Sequence, residues 1–320
     1  AVYSPTMLEA YADCPFRFYL TYVLLFEPLA SPDPDLTARE RGSLVHRIAH
    51  RFYADWVRDG LASLTGENHT EARERILAIG REEAEQVSLR SPAWAVEKEF
   101  LLGSPLAGPG LLERFIENEM KLAASPLAPR AFEVSFGLPV GKGETDAVPI
   151  RLGEGPDETI LLRGRIDRID VAPDGVFMVT DYKTGRSHPN LEDVMTGRAL
   201  QLPLYIRAVE TLTGLSGAAG AYYTLRRGEV RARPIFWDAG REEHFAAYTR
   251  SRRGAVEDIR ALVDASLAQV REYLCGIRSG RFPPGQGAGS CPVYCGLATV
   301  CRFDGLREFS SPGEGADGTH

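Results

Sequence analysis

The strongest chemical signal in the chain lies in two short stretches. These are Gly164-Arg165-Ile166-Asp167-Arg168-Ile169-Asp170 and Asp181-Tyr182-Lys183-Thr184-Gly185, with Pro173-Asp174-Gly175 between them. Both stretches are strand-like, and Pro-Asp-Gly predicts a turn. A hairpin folded about Asp174 sets Asp167 opposite Asp181. Side chains alternate along a strand, so Lys183 shares a face with Asp181. Two carboxylates and one ammonium then meet on one surface. Like charges facing each other across a sheet cost a few tenths to about 1 kcal/mol, so the pattern calls for a cation. Hard carboxylate oxygens suit Mg²⁺ or Mn²⁺ in octahedral geometry. Such an ion lowers the pKa of a bound water and holds a phosphodiester oxygen. A lysine beside it can orient the hydroxide and stabilise a pentacovalent transition state. The competing reading is a solvated hairpin with a surface ion pair. Against it, the apolar run Val176-Phe177-Met178-Val179-Thr180 leads directly into Asp181, which places the charges at the end of a buried strand.

A second signal is the cysteines: Cys14, Cys275, Cys291, Cys295 and Cys301. An odd number without a secretion signal argues against a disulfide framework and for a reducing compartment, the cytoplasm. The last three cluster near the end of the chain, a spacing that suits metal. A fourth thiol from Cys14 or Cys275 would complete either a zinc site or an iron–sulfur cluster, and spacing alone leaves both open.

The elements that must position these residues change character along the chain. Ser4-Pro5 caps a short helix, and Cys14 opens an aromatic turn. From Thr37 to about Arg58, Leu44, Ile48, Phe52 and Trp56 fall four apart on one helical face, with His46 and His50 on a neighbouring face. Glu71 to Leu89 and Leu111 to Ala124 predict two further helices. Beyond Pro129, strands are expected over residues 132–136, 159–171 and 176–183. A helix is expected over 191–212, two more strands over 218–225 and 229–237, and a long helix over 241–277.

The composition is that of a globular chain: 320 residues, 44% hydrophobic and 25% charged. No apolar run approaches the ~18 residues of a membrane span. A protein that merely coats nucleic acid is usually basic, so at a net charge of −7 this chain needs a local basic surface or bound cations to approach phosphate. Local positive charge is available at Arg226, Arg227, Arg231 and Arg233 and at Arg241, Arg250, Arg252 and Arg253, as a strand-guiding channel or a solvated face. Ala1 stands where an initiator Met would, so a longer parent polypeptide is expected.

The two opening stretches resemble the core of the PD-(D/E)XK nucleases, in the RecB-like form GRIDRID followed by DYKTG. Ile166 stands where many members have proline. Arg41-Gly42-Ser43-Leu44-Val45-His46 resembles that family's G-x-x-x-H helix. Glu133 in FEVSFG resembles its acidic strand, and Gln201-Leu202-Pro203-Leu204-Tyr205 its Q-x-x-x-Y motif. Cys14-Pro15-Phe16 resembles the leading cysteine motif of the AddB-type branch, although that branch more often has C-x2-C-x5-C where this chain has C-x3-C-x5-C.

The resemblance implies an α/β fold, with a mixed central sheet flanked by helices and a helical N-terminal part clasped to the C-terminus by a metal cluster. It implies one RecB-like domain over residues 1–305, with a mainly helical part to 128, the catalytic sheet over 129–240, a helix and the cysteines over 241–305, and a tail over 306–320. Asp167, Asp181 and Lys183 would be catalytic. His46, Asp167, Asp181 and the Tyr182 backbone carbonyl would hold Mg²⁺ or Mn²⁺, the imidazole favouring tolerance of Mn²⁺. Cys14, Cys291, Cys295 and Cys301 would hold a [4Fe–4S] cluster acting as a structural staple, leaving Cys275 over. Gln201 and Tyr205 share a helix face that could bind phosphate or stack a base. Glu133 would support the site or pair with Arg165. The implied function is metal-dependent, exonuclease-type hydrolysis of DNA, single-stranded or at a duplex end, as the nuclease part of a helicase–nuclease in break repair. The alternatives are a catalytically silent DNA-binding scaffold and a stand-alone nuclease of the CRISPR-adaptation type. The chain contains no GxxxxGK[ST] sequence, so a motor would belong to a helicase partner or another domain.

Overall fold

The computed structural model describes residues 2–26, 37–61, 64–87, 91–140, 143–144, 146–152, 158–185, 187–284, 295 and 297–301. In chain order, β1 is Val2–Tyr3, α1 Pro5–Asp13, α2 Pro15–Phe18, α3 Ala38–Arg58, α4 His69–Glu85, α5 Pro92–Leu102 and α6 Leu111–Leu122. Then come β2 Ala128–Phe136, β3 Pro139–Val140, β4 Gly143–Glu144, β5 Val148–Arg151, β6 Thr159–Leu162, β7 Gly164–Val171 and β8 Val176–Lys183. Helices α7 (Leu191–Met195) and α8 (Gln201–Thr213) precede β9 (Ser216–Arg226) and β10 (Glu229–Asp238). The last elements are α9 (Glu242–Phe245), β11 (Ala255–Val256), α10 (Ile259–Arg278) and α11 (Ala298–Cys301).

The main sheet has six strands in the order β11-β10-β9-β8-β7-β2. It is mixed: β7 and β8 are antiparallel, while β8 and β9 run parallel through the α7–α8 crossover. A parallel strand pair needs such a crossover, which places a helix on the sheet face. Strand β8 is buried on both sides, which explains its nearly unbroken apolar run. Val176, Met178 and Tyr182 enter a core shared with α3, α4 and α6, whereas Phe177 and Val179 enter a second core shared with α8 and α10. A smaller sheet, β1-β6-β5, closes the second core. The mixed sheet flanked by helices is the fold class expected from the sequence.

Three expected elements prove to be broken. Residues 159–171 divide at Arg163, whose N–H goes to the Tyr3 carbonyl at 2.8 Å, so β6 joins the small sheet and β7 the large one. The helix expected over 191–212 stops at Gly197, which has φ +74°; a side chain there would collide with Tyr273 of α10. The long helix expected over 241–277 ends after one turn at Phe245; the chain then passes Gly254 (φ +84°), which packs against the Ile235 carbonyl, and helix restarts only where Asp258 accepts the Ala261 N–H. Helix α5 lies outside the expected elements; Ser91 caps it and Pro92 starts it. No described helix is long and apolar enough to cross a membrane.

Candidate active site

The hairpin folds in the expected register, with Arg168 opposite Thr180 and Val171 opposite Phe177. The ladder ends at Arg168–Thr180. One residue further, the Asp167 carboxylate takes over the sheet's role, its Oδ2 accepting the Tyr182 N–H at 2.7 Å. The two strands part there, and Asp167, Asp181 and the Tyr182 carbonyl line the opening. On its other side, β7 pairs with β2 so that Glu133 falls opposite Asp167, between the pairs Phe132–Arg168 and Val134–Ile166. Glu133 has φ +49° in the middle of a strand. A non-glycine residue there carries strain of order 1–3 kcal/mol, a feature concentrated at functional sites. The kink reverses the facing of β2, sending Phe132 to one core and Val134 to the other. No residue in FEVSFG announces it.

His46 reaches the opening from α3. The helix is fixed by a Thr37–Glu40 capping box, with the Glu40 N–H 3.2 Å from Thr37 Oγ1 and the Thr37 N–H 2.9 Å from Glu40 Oε2. Gly42, one turn before His46, lets α3 approach the end of the hairpin: a Cβ there would sit 3.3 Å from Thr184 Oγ1. The His46 ring touches both strands. Nε2 lies 3.1 Å from the Tyr182 carbonyl oxygen, and Nδ1 lies 3.3 Å from Asp167 Oδ1 and 3.9 Å from Glu133 Oε1. Burial disfavours a charged ring, but the hydrogen bond and charge of Asp167, with Asp181 and Glu133 nearby, outweigh it and hold the imidazole at about 9. Donor atoms of His46, Glu133 and Asp167 all lie within 4.8 Å of one another, a spacing that fits a metal ion.

The Asp181 carboxylate is held by α8 and by its own strand. Gln201 Nε2 donates to its Oδ1 at 2.5 Å, and Lys183 Nζ lies 2.7 Å from its Oδ2. Lys183 also donates to Gln201 Oε1 at 3.2 Å and lies over the Tyr222 ring at 5.2 Å. Burial and the charge of Asp167 push Asp181 up to about 6, against the pull of Lys183. Gln201 thus joins the carboxylate to the ammonium. Tyr205, one turn on, is 5% exposed; it packs edge-to-face on Phe136 and against Gly164. Its ring is packing beneath the start of β7 and offers no free face to a base. Glu133 also accepts from Arg165 Nη1 at 3.1 Å, so it lies against both His46 and Arg165.

The structure adds Glu9, whose Oε1 accepts the backbone N–H groups of Leu200 and Gln201 at the start of α8. Its place in the sequence points only to the first turns of α1. Cys14 is half-buried and its sulfur accepts the Arg17 N–H at 3.4 Å; Cys295 and Cys301 are half-buried and Cys275 is exposed. Cys291 lies outside the described residues. Among the arginines expected to form a basic surface, Arg226, Arg241 and Arg252 are already committed to acidic partners.

Comparison with known proteins extends over most of the chain. Residues 2–302 match the family described as the PD-(D/E)XK nuclease superfamily. The chain is 28% identical to an ATP-dependent helicase/deoxyribonuclease subunit of Moorella thermoacetica, over 94% of this chain and 30% of that protein. It is 31% identical to the corresponding ATP-dependent helicase/deoxyribonuclease subunit of Symbiobacterium thermophilum, over 69% of this chain and 19% of that protein. The chain therefore spans less than a third of the length of these relatives. With the match running through helix α3, the parted hairpin and helix α8 alike, the chain belongs to the PD-(D/E)XK nuclease superfamily.

Proposed function

We propose that the chain is the nuclease part of a helicase–nuclease and hydrolyses DNA phosphodiester bonds with the help of a divalent cation. One observation carries the reading. His46, Glu133 and Asp167, from three separate elements, bring their donor atoms within 4.8 Å beside an Asp181–Lys183 pair 2.7 Å apart. The donor set, carboxylate and carbonyl oxygens with one imidazole, fits Mg²⁺ or Mn²⁺. His46, Asp167, Asp181 and the Tyr182 carbonyl would hold the ion, with Glu133 at its edge. The chemistry a divalent cation supplies when held there is activation of water and neutralisation of charge on a phosphodiester oxygen.

The chain's own groups divide the remaining work. Lys183 orients the attacking water and offsets charge that develops on the phosphorus oxygens. Burial weakens its ammonium, but Asp181 more than restores it, so Lys183 stays protonated across the neutral range. Gln201 holds Asp181 and Lys183 in one plane of hydrogen bonds. The names of the relatives, which pair a helicase with a deoxyribonuclease, support DNA as substrate and a helicase as partner. Break repair is the process we propose for such a pairing of activities.

A [4Fe–4S] cluster on Cys14, Cys291, Cys295 and Cys301 would staple the two ends of the domain. Two features favour it. The Cys14 sulfur stands at the N-terminus of α2, accepting the Arg17 N–H. The N-terminal helical segment already meets the residues that follow α10: Tyr11 donates to the Arg281 carbonyl at 2.7 Å, and Phe282 stacks on Tyr19 at 4.9 Å. Such a cluster supplies iron–thiolate bonds across that contact.

The test is cleavage of end-labelled single-stranded DNA by anaerobically purified protein with Mg²⁺ or Mn²⁺, with iron and sulfide measured alongside. Cleavage should vanish with EDTA and fall by at least about 10²-fold in Asp181→Ala and Lys183→Ala. Cleavage that survives Asp181→Ala would refute the site; zinc without iron would refute the cluster.

A further inference from the structure

We propose that Glu9 is a positioning residue for the Asp181–Lys183 pair, acting by holding the N-terminus of α8 in place. The inference rests on the nuclease reading for its functional consequence but on independent contacts for its geometry. Helix α8 begins at Gln201, and the residue before it, Leu200, has no side chain able to cap the free N–H groups. Uncapped helix starts are costly, and leucine is among the poorest residues at this position. Here the cap comes from a distant part of the chain. Glu9 Oε1 accepts the Leu200 N–H at 2.7 Å and the Gln201 N–H at 2.9 Å.

The capped residue is the one that spans the pair, since Gln201 donates to Asp181 and accepts from Lys183. Any drift of the first turn of α8 therefore moves the amide that fixes both groups. Helix α1 is a firm base for the cap. Ser4 caps it through the Met7 N–H at 3.3 Å, and Tyr11 anchors it to the Arg281 carbonyl. Gly276 lets α10 close upon Tyr11, since a side chain there would collide with the phenol. The line from α1 through Glu9 to Gln201 carries position and no charge transfer. Misplacement of about 1 Å at a reacting group can cost 10²-fold in rate, which makes a remote cap matter.

The experiment compares wild type, Glu9→Ala and Glu9→Gln, with Asp181→Ala as the inactive control. Hydrogen exchange at the Leu200 and Gln201 amides is read alongside kcat and KM on end-labelled single-stranded DNA with Mn²⁺. In Glu9→Ala the two amides should exchange about tenfold faster and kcat should fall about tenfold, with KM within about threefold. Glu9→Gln keeps an oxygen that can accept both N–H groups, so it should recover most of the protection and most of the rate. If Glu9→Ala does not fold, Glu9→Asp, one methylene shorter, takes its place with the same readouts. Unchanged exchange in the truncated variant would overturn the proposal, as would freed amides with an unchanged kcat. So would a rate lost in Glu9→Gln while its amides stay protected. A wild type that does not cleave at all would instead overturn the nuclease reading, with the exchange arm still deciding the cap.

Discussion

Replacing Arg168 with methionine should destabilise the protein by about 3–5 kcal/mol, the usual cost of breaking a buried ion pair from one side. Arg168 is 2% exposed and follows Asp167 directly in β7. It donates to Asp170 at 2.9 Å and to Glu119 at 2.8 Å, and stacks over the Tyr53 ring at 5.1 Å. Both carboxylates are buried, and without Arg168 their hydrogen-bond donors among the described residues are Thr180 and the Tyr53 phenol. Methionine keeps the apolar stem, so the loss reports charge rather than volume. At roughly 2 cal/mol/K of unfolding entropy per residue, the deficit corresponds to a Tm lower by about 5–8 °C.

The sign with pH follows from Asp170. Burial raises its carboxyl and Arg168 pulls it back, so losing Arg168 raises it further. A folded pKa above the unfolded value near 3.9 means the deficit is smallest below that value and grows as pH rises through the folded one. Urea titrations at pH 5 and pH 8 should therefore show the larger loss at pH 8. Adding Glu119→Gln and Asp170→Asn should recover much of it, because the stranded charges are then gone. A single-variant loss below about 1 kcal/mol, or a triple variant weaker than the single, would refute the reasoning.

Three further outcomes can be checked on the same protein. In the metal-free chain His46 sits at about 9, above its unfolded value near 6.5, so its contribution of about 3 kcal/mol is present below pH 6.5 and lost as pH rises through 9. His46→Ala in EDTA should thus cost most at pH 6, and Mn²⁺ binding at pH 7.5 should release about one proton by calorimetry in buffers of different ionisation heat; binding without proton release would contradict the assignment. If the proposed cluster is held, Cys14→Ser should lose iron and lower stability by about 2–4 kcal/mol, the scale of a covalent staple closing a long loop, whereas unchanged iron content and an unchanged urea midpoint would refute Cys14 as a ligand.

What the sequence reveals and what it conceals have physical causes. The hairpin can be read because Pro173-Asp174-Gly175 sets its turn and an apolar strand sets its register, both local properties. His46 is legible as part of a motif, but the reason for Gly42 is not. That glycine answers to Thr184, far along the chain. Glu133 falls on the expected strand, yet its left-handed backbone depends on its neighbours in three dimensions. Glu9 escapes sequence reasoning because its partners are two backbone N–H groups nearly two hundred residues away, which have no letter in the sequence. The helix merged by periodicity over 191–212 fails at Gly197, where close approach to Tyr273 of α10 leaves no room for a side chain.

The charge of the site also bears on how a chain with net charge −7 would act on a polyanion, as the proposed function requires. Three carboxylates, Glu133, Asp167 and Asp181, face three cations, Arg165, protonated His46 and Lys183, through a set of ion-pair contacts. In the metal-free chain the opening is therefore close to neutral, with His46 standing where a cation would be held. Exchange of the His46 proton for a divalent cation would raise the local charge by one unit. The opening would then carry the sign that receives a phosphodiester, whatever the charge of the remaining surface. Attraction would be local and conditional on the ion, and it would be confined to the few ångströms in which an ion pair escapes screening. On this account, cleavage should depend on salt far less than it would for a protein that grips DNA through a broad basic face. A steep salt dependence of kcat/KM in the isolated chain, with a log–log slope of several units, would place the grip outside the catalytic opening and refute the local account.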